Sequence, residues 1–548
     1  MTSRFLFLAI CLFAQTIFAQ NIIGSWKGEL EMQGTKMPLI FHISKSENGF
    51  ISKMDSPMQQ AKYIPNSKTE FDDNQLNIEN KNIGLRYHGQ LKNDSIKGVF
   101  SQNGFEIPMI FVRVNKETKP VKIIENFPND AKSRIEKLDN FISYLENNQI
   151  TAGGISVFHK GKEVYHRNFG ENILPENNPK NHLFQIGSIT KTMMATILHQ
   201  LNKEGKIDLN ETLDKYYPNV PNADKITLYQ MMNHTAGIND YVMKEGELYW
   251  LAEPRTDTEI MAELTSQKPI GEPGEKVQYS NSAYYLLTKI LEKVTKKSFA
   301  KNLEERILKP LKMKETFSAQ SHPKNIFPSY EYTGGWKKVK DFDFLNVVGV
   351  GDIAANPKDL NIFIQALFKN QLLDNTTLEN MKPKEGKTFG YGMMVVPFFS
   401  KKFLGHSGGT YGSNSLMIYQ PEDDLAISYT LNANRTSSRV FSVGVLSSLY
   451  NTDFEYPKVS TEKLSVTDLE KYKGVYKSEQ IPLVITVFVE NGVLTAQGSG
   501  QPSFVLDYVE KHTFRADKAG VKIDFSPQEE TFILEQNQMK FYYKKSGN

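Results

Sequence analysis

Between residues 22 and 114, short apolar runs alternate with polar positions, as in Pro38-Leu39-Ile40-Phe41-His42-Ile43 and Pro108-Met109-Ile110-Phe111-Val112-Arg113-Val114. Clusters of Gly, Asn, Asp and Ser separate the runs, so the pattern predicts antiparallel strands of a small barrel or sandwich. Residues 472–543 have the same character. There Leu483-Val484-Ile485-Thr486-Val487-Phe488-Val489 is followed by the hairpin signal Asn491-Gly492 and then by Val493-Leu494.

Residues 124–456 mix helical and strand periods. Ala283, Leu286, Leu287, Ile290, Leu291 and Val294 fall on one face of a helix that follows Ser282. A second stripe, Met193, Met194, Ile197, Leu198 and Leu201, follows Ser188, with Gly205 placed to stop the helix. These methionines read as core. Leu425, Ile427, Tyr429 and Leu431 alternate as a half-buried strand after the turn residues 421–424. The central segment is therefore α+β, and it is where chemistry is expected.

Composition narrows the function classes. With 39% hydrophobic and 23% charged residues among 548, the chain is neither disordered nor fibrous. Lys+Arg at 65 against Asp+Glu at 62 gives a formal +3, too balanced for a dedicated nucleic-acid binder. The expected partner is a small-molecule or peptide substrate, with the oligomeric state open. The lone Cys11 lies in residues 1–19, where one Arg, a short apolar run and Ala19 read as a cleavable signal peptide. Export to the periplasm or medium follows, and the mature chain would have no thiol for disulfides or metal. Lipid anchoring at Leu8-Ala9-Ile10-Cys11 is the weaker reading, because the apolar run continues through Leu12-Phe13. No later stretch is long and apolar enough to span a bilayer. Ten scattered histidines without His-Glu-x-x-His argue against a metal hydrolase. Gly386-Lys387-Thr388 lacks the earlier glycine of a phosphate loop, Met381 standing in its place, so no cofactor is expected.

Ser188-Ile189-Thr190-Lys191 matches Ser-x-x-Lys, in which a lysine one turn along a helix manages the proton of an acylated serine. Ser298/Lys301, Ser321/Lys324 and Ser460/Lys463 share the spacing, but only Ser188 follows a tight Gly187 and opens an amphipathic helix. The plain alternative is that Ser188 is an N-cap. Tyr279-Ser280-Asn281, after Pro273-Gly274 and before the second helix, can bring a phenol and an amide to one point. A third element, His406-Ser407-Gly408-Gly409, lies in strand-like residues 403–409. His159-Lys160-Gly161 matches it too, but precedes the serine and reads as a hairpin turn.

In this order Ser188-x-x-Lys191, Tyr279-x-Asn281 and His406-x-Gly408 resemble the serine β-lactamase and penicillin-binding-protein superfamily, nearest its class C branch with its D-peptidase and esterase relatives. Met231-Met232-Asn233-His234-Thr235-Ala236-Gly237-Ile238, Pro273-Gly274, Pro310-Leu311-Lys312-Met313, Gly349-Val350-Gly351-Asp352 and Tyr391-Gly392 agree with it. The likeness spans about residues 140–451. It implies an α+β core, an antiparallel sheet flanked by helices plus a helical subdomain. The openings Gly24-Ser25-Trp26 and Gly474-Val475-Tyr476 resemble the first strand of lipocalin-like barrels, and D-aminopeptidases of the superfamily also carry extra barrels. The expected division is a signal peptide at 1–19, a β-barrel-like domain at 20–118, the hydrolase domain at 124–456 and a lipocalin-like barrel at 462–548.

The resemblance implies an acyl-enzyme mechanism. Ser188 attacks a carbonyl, while Lys191, its pKa lowered by burial and nearby positive charge, shares the base role with Tyr279, which later protonates the leaving group. Asn281 holds Lys191 and the substrate's acyl side chain, and the Ser188 and Gly409 N–H groups form the oxyanion hole. His234 is read as structural support. At position 406 most β-lactamases carry lysine, whereas a histidine is only partly charged near pH 7. That favours a peptidase or esterase acting on D-amino-acid peptides, amides or esters over a class C-type β-lactamase. Two other readings are a non-catalytic protein that binds cell-wall peptide or penicillin, and an α/β-hydrolase with Ser407 as nucleophile in Gly405-His406-Ser407-Gly408-Gly409. The second needs a helix after the elbow, where a strand is expected.

Overall fold

The computed structural model describes residues 21–546 except 33–34, 47–48, 57–60, 82–83, 103–104, 115–123, 176–181, 245–248, 386, 459–463, 482, 502, 517–518 and 537–538. The signal-peptide segment and Cys11 lie outside the described residues. The chain divides into two compact units. One holds Met1–Pro120 with Lys477–Pro482 and Ile533–Tyr543; the other holds Val121–Tyr476 with Leu483–Phe532 and Lys544–Asn548.

The alternating pattern after residue 22 forms a nine-stranded antiparallel sheet, from Gly24–Met32 to Phe105–Val114, a meander interrupted between its fourth and fifth strands, which are the sheet's two edges. Its first strand pairs with both its second and its last. Trp26, Phe41, Leu76, Ile78, Tyr87, Ile96 and Phe111 fill one face, as period-2 alternation requires. A second nine-stranded meander, from Gly474–Lys477 to Met539–Lys545, has the same order and again pairs first strand with last. The two Gly-x-aromatic openings play equivalent parts. Trp26 and Tyr476 are both buried, and each donates to a carbonyl four residues earlier, Ile22 and Tyr472. Asn491 and Gly492, both at positive φ, make the hairpin turn between Ile485–Glu490 and Val493–Gly498.

The central segment is built on a mixed, mainly antiparallel sheet. Its strand order is Lys162–Phe169, Thr151–His159, Leu425–Asn434, Asn414–Gln420, Lys401–Gly409 and Met394–Phe398. The hairpin Tyr330–Tyr332/Trp336–Lys338 joins it beside Ala433. On one face, helices Lys132–Asn147 and Ser438–Tyr450 bury Phe141, Ile142, Phe441 and Leu449 against Ile155, Ile427, Tyr429 and Leu431. A mostly helical region covers the other face through Pro357–Phe368. Leu425–Asn434 is therefore buried along its whole length, where the sequence predicts a half-buried strand. Its polar positions are covered by other elements instead of water: Ser428 Oγ donates to Asn361 Oδ1 of that helix at 2.8 Å, and Asn432 Nδ2 to the Phe327 carbonyl at 3.0 Å. His159-Lys160-Gly161 is the hairpin turn expected, with Lys160 and Gly161 at positive φ. Among the described residues no helix is long and apolar enough to cross a membrane.

Of the four buried histidines, His199, His234 and His406 are the deepest, each 2% exposed or less. Burial lowers His199 and His406 to about 4 and His234 well below 6.5. Each folded-state value lies below the unfolded value of roughly 6.5. The unfolded chain thus binds more protons between about pH 6.5 and 4, and this part of the stability is lost as pH falls through that window. His199 packs between Tyr229 and Tyr391, away from Ser188-x-x-Lys191 chemistry, and its Nε2 has no hydrogen-bond partner among the described residues. His199→Leu should therefore lose less stability than the wild type between pH 6.5 and 4.5 in urea titrations; parallel losses would refute the assignment.

Candidate active site

The nucleophile candidate sits where a strand becomes a helix. Phe184–Gln185 leads through the 3₁₀ turn Gly187–Ile189 into helix Thr190–Lys203, which ends before Gly205 at φ +68 as its spacing predicts. Ser188 makes no side-chain cap; its Oγ instead meets Lys191 Nζ at 3.0 Å. The rival Ser298 is an ordinary N-cap, accepting from Lys301 N. Gly187 has φ +53, and a Cβ there would lie 2.7 Å from both N and O of Gly409. Only glycine fits, and the backbone beside Ser188 is thereby pressed against the end of strand Lys401–Gly409.

Lys191 is fully buried. Its Nζ donates to Asn281 Oδ1 and to the Val350 carbonyl, each at 2.8 Å, and lies 5.1 Å from the Tyr279 ring centroid. Burial lowers its pKa to about 7, against the opposing pull of Asp240. The lowering thus comes from desolvation, while the nearest charge acts the other way; the expected help from a neighbouring cation is not the cause. Near neutral pH such an amine can accept a proton. Tyr279 is partly exposed, hydrogen-bonds Ser188, and has its phenol pushed up by desolvation, so it is a neutral donor.

Asp240 has no counterpart among the sequence-predicted residues. Its Oδ2 accepts from Asn281 Nδ2 at 2.8 Å and from Asn281 N at 3.3 Å, and its Oδ1 caps the turn Tyr241–Met243 through Val242 N. An acceptor-only carboxylate on one side and a lysine on the other leave the Asn281 amide one orientation. The available signal was its place three residues after the His234–Gly237 turn, where Asn239-Asp240 reads as a polar loop.

His234, at φ +62, accepts from Ser280 N through Nδ1 at 3.3 Å. Its ring stacks on Tyr279 with centroids 4.2 Å apart. Phe389 closes the same cluster at 5.8 Å from Tyr279 and 6.4 Å from His406. His406 is only 2% exposed, with Nδ1 held to the Ser407 carbonyl at 2.6 Å. Desolvation, aided by Lys191, lowers it to about 4, so it is neutral at pH 7 where the sequence predicts partial charge. Gly408 has no room for a side chain, since a Cβ would lie 1.9 Å from the Ile186 carbonyl. Ser188, Lys191, Tyr279, Asn281, His406, Gly408 and Gly409 are thus brought together. Ser407 is not part of the set: it lies exposed within the strand, its Oγ on Met394 Sδ at 3.7 Å, with a turn and another strand following. Among the described residues no group of three His, Cys, Asp or Glu is placed to hold a metal ion.

The chain is similar in sequence and in fold to known proteins. Residues 138–443, more than half of the chain, match the sequence profile of the Beta-lactamase family. The chain is 27% identical over 271 residues to the Putative penicillin-binding protein PbpX of Bacillus subtilis (strain 168), covering 48% of this chain and 66% of that one. It is 26% identical over 367 residues to the Teichoic acid D-alanine hydrolase of Staphylococcus aureus (strain MRSA252), covering 64% and 88%. A D-stereospecific amidohydrolase from Streptomyces sp. superimposes with a TM-score of 0.50 at 25% identity, covering 59% of this chain and 98% of that one. The fold is that of serine β-lactamases and penicillin-binding proteins with added antiparallel sheets, and the chain belongs to the Beta-lactamase family of serine hydrolases.

Proposed function

We propose that the protein is an exported hydrolase that cleaves D-amino-acid peptides, amides or esters through an acyl-enzyme on Ser188. The observation that carries this reading is the buried amine of Lys191, lowered to about 7 and 3.0 Å from the Ser188 hydroxyl. Neutral Lys191 takes the serine proton as Ser188 Oγ attacks the substrate carbonyl. The N–H groups of Ser188 and Gly409 receive the developing oxyanion. Tyr279, protonated by virtue of its desolvation, gives its proton to the leaving group and recovers one from Lys191. Water then repeats the sequence on the acyl-enzyme. Asn281, oriented by Asp240, holds Lys191 and offers its amide edge to the acyl side chain.

The D-amino-acid preference rests on two relatives, named a teichoic acid D-alanine hydrolase and a D-stereospecific amidohydrolase. The neutral His406 supports it as well. It supplies a hydrogen-bonding wall but no fixed cation for a β-lactam carboxylate. The flanking meanders, each pairing first strand with last, support lipocalin-like barrel domains at 20–118 and 462–548 around a hydrolase domain at 124–456.

Intact-mass analysis after mixing with a D-alanine nitrophenyl ester, a D-Ala-D-Ala peptide and penicillin tests the reading. The expected result is an acyl adduct on Ser188 that turns over with the ester or peptide. Turnover with penicillin alone would make it a β-lactamase. Binding without any adduct would make it a non-catalytic receptor.

A further inference from the structure

Strand Lys401–Gly409 ends with the Gly409 backbone against Gly187, the residue before Ser188, and Gly409 pairs with Asn414 across the turn. The position of that last amide therefore depends on what holds the turn. On the nucleophile side, Ser415 Oγ donates to the Ile186 carbonyl at 2.7 Å and Ser413 Oγ to the Gln185 carbonyl at 3.2 Å. These carbonyls belong to the segment that delivers Ser188.

The other side is held by one carboxylate. Asp341 Oδ2 accepts from Thr410 Oγ1 at 2.6 Å and from Ser329 Oγ at 3.2 Å; its Oδ1 accepts from Tyr411 N at 3.0 Å and Phe342 N at 2.8 Å. Thr410 Oγ1 accepts in turn from Ser413 N at 3.0 Å and Gly412 N at 3.3 Å. A hydroxyl has one proton and two lone pairs, and here all three are used to close the turn. Gly412 leaves no slack, because a Cβ there would lie 2.5 Å from Ser329 Cβ.

Asp341 is itself fixed from behind. It follows the hairpin Tyr330–Tyr332/Trp336–Lys338, whose turn residue Gly334, at φ +82, packs so closely that a Cβ would lie 2.4 Å from Val493 Cγ1. The Arg435 guanidinium stacks 4.0 Å over the Tyr332 ring and donates from Nη2 to Asp507 at 2.7 Å. Val493 and Asp507 both belong to the C-terminal meander. The hairpin is thus braced by that sheet at one end and carries Asp341 to the site at the other.

We propose that Asp341 is a positioning residue that sets the Gly409 N–H through Thr410 and Tyr411, and so governs acylation rather than substrate capture. The proposal rests on the reading of Ser188 as nucleophile and Gly409 as oxyanion donor. Its physical basis is the steep dependence of such donors on placement: one is worth about 10²–10³ in rate when aimed at the oxyanion. Loosening one edge of the turn forfeits part of that without altering the ground-state contacts.

The test uses the full-length chain with p-nitrophenyl acetate and phenylboronic acid, whose adduct with Ser188 places a boron hydroxyl where the oxyanion forms. For Asp341→Ala, kcat should fall roughly 10- to 100-fold with KM within threefold, and boronate affinity should fall in step. Asp341→Asn, which keeps the acceptor for Tyr411 N and Phe342 N but puts an NH2 donor opposite the Thr410 and Ser329 hydroxyls, should recover part of both. Thr410→Val, which removes the hydroxyl that joins Asp341 to Gly412 N and Ser413 N but leaves the bond from Tyr411 N to Asp341, should shift both in the same direction, and serves if Asp341→Ala fails to fold. An unchanged kcat and boronate affinity in Asp341→Ala or Thr410→Val, or a change confined to KM, overturns the role of Asp341. If the wild type forms no adduct at Ser188, the functional reading itself fails and the proposal falls with it; adducts in both wild type and variant separate the two failures.

Discussion

Ser188→Ala is expected to abolish turnover of a D-alanine ester, with kcat reduced by about 10⁴-fold or more, and to leave no acyl adduct in intact-mass spectra. The substitution removes one hydroxyl at a partly exposed position. Lys191 loses that contact but keeps Asn281 Oδ1 and the Val350 carbonyl. The melting temperature should therefore stay within a few degrees of wild type, since changes outside the well-packed core are usually small. The neighbouring serine is not placed to take over. Ser407 is directed at Met394 and lies in a strand whose following turn leads to another strand. A variant that retained the wild-type rate would remove Ser188 from the mechanism, and a fluorophosphonate adduct mapped to Ser407 would move the nucleophile there.

Lys191→Arg should be almost as damaging, by about 10³-fold or more, because proton transfer at a positioned base contributes roughly 10²–10⁴. The choice of arginine separates two explanations. A guanidinium preserves positive charge beside Ser188 but cannot release its proton at any working pH. If charge alone activated the serine, the variant would keep substantial activity; if a base is required, it would not. The pH profile of the wild type draws the same distinction. Burial places the Lys191 pKa at about 7, and the deprotonated amine is the active form. kcat/KM should therefore rise with pH through about 7 and level off above it. His406, at about 4, adds no inflection near 6.5. A profile that falls as pH rises through 7 would contradict the assignment.

The order of reactive residues was legible because each motif is local. Ser188 and Lys191 are one helical turn apart, Tyr279 and Asn281 flank one cap residue, and His406 to Gly409 are contiguous. Their chemistry depends on neighbours far along the chain, which spacing does not record. Asp240 is invisible as a partner of Asn281 because Asn239-Asp240 has the composition of any polar turn. The charge of His406 escapes the sequence for a related reason: its ionisation is set by burial, a property of the assembled sheet and not of the tripeptide. Leu425–Asn434 shows the same limit in the fold. Alternation identifies a strand, yet Ser428 reads as solvent-facing until helix Pro357–Phe368 is laid over it. The hairpin signal Asn491-Gly492 succeeded because positive φ at both residues is demanded within four positions.

The placement of Thr151–His159 beside Leu425–Asn434 bears on how the chain is made. Thr151 bonds Asn434 across 283 residues of sequence, whereas the first meander closes its opening strand on one that ends at Val114. At synthesis rates of about 5–20 residues per second, the catalytic sheet waits roughly 15–60 s for its middle strand after the first meander can already be complete. During that interval the inner edge of Thr151–His159 lacks its native partner Leu425–Asn434, and an unpaired hairpin edge is the kind that recruits other strands. Pairing over such a separation is also slow once both partners exist. Refolding should therefore be limited by the hydrolase core, and a carrier that shields the hairpin edge would raise the yield of active chain more than one acting on either meander.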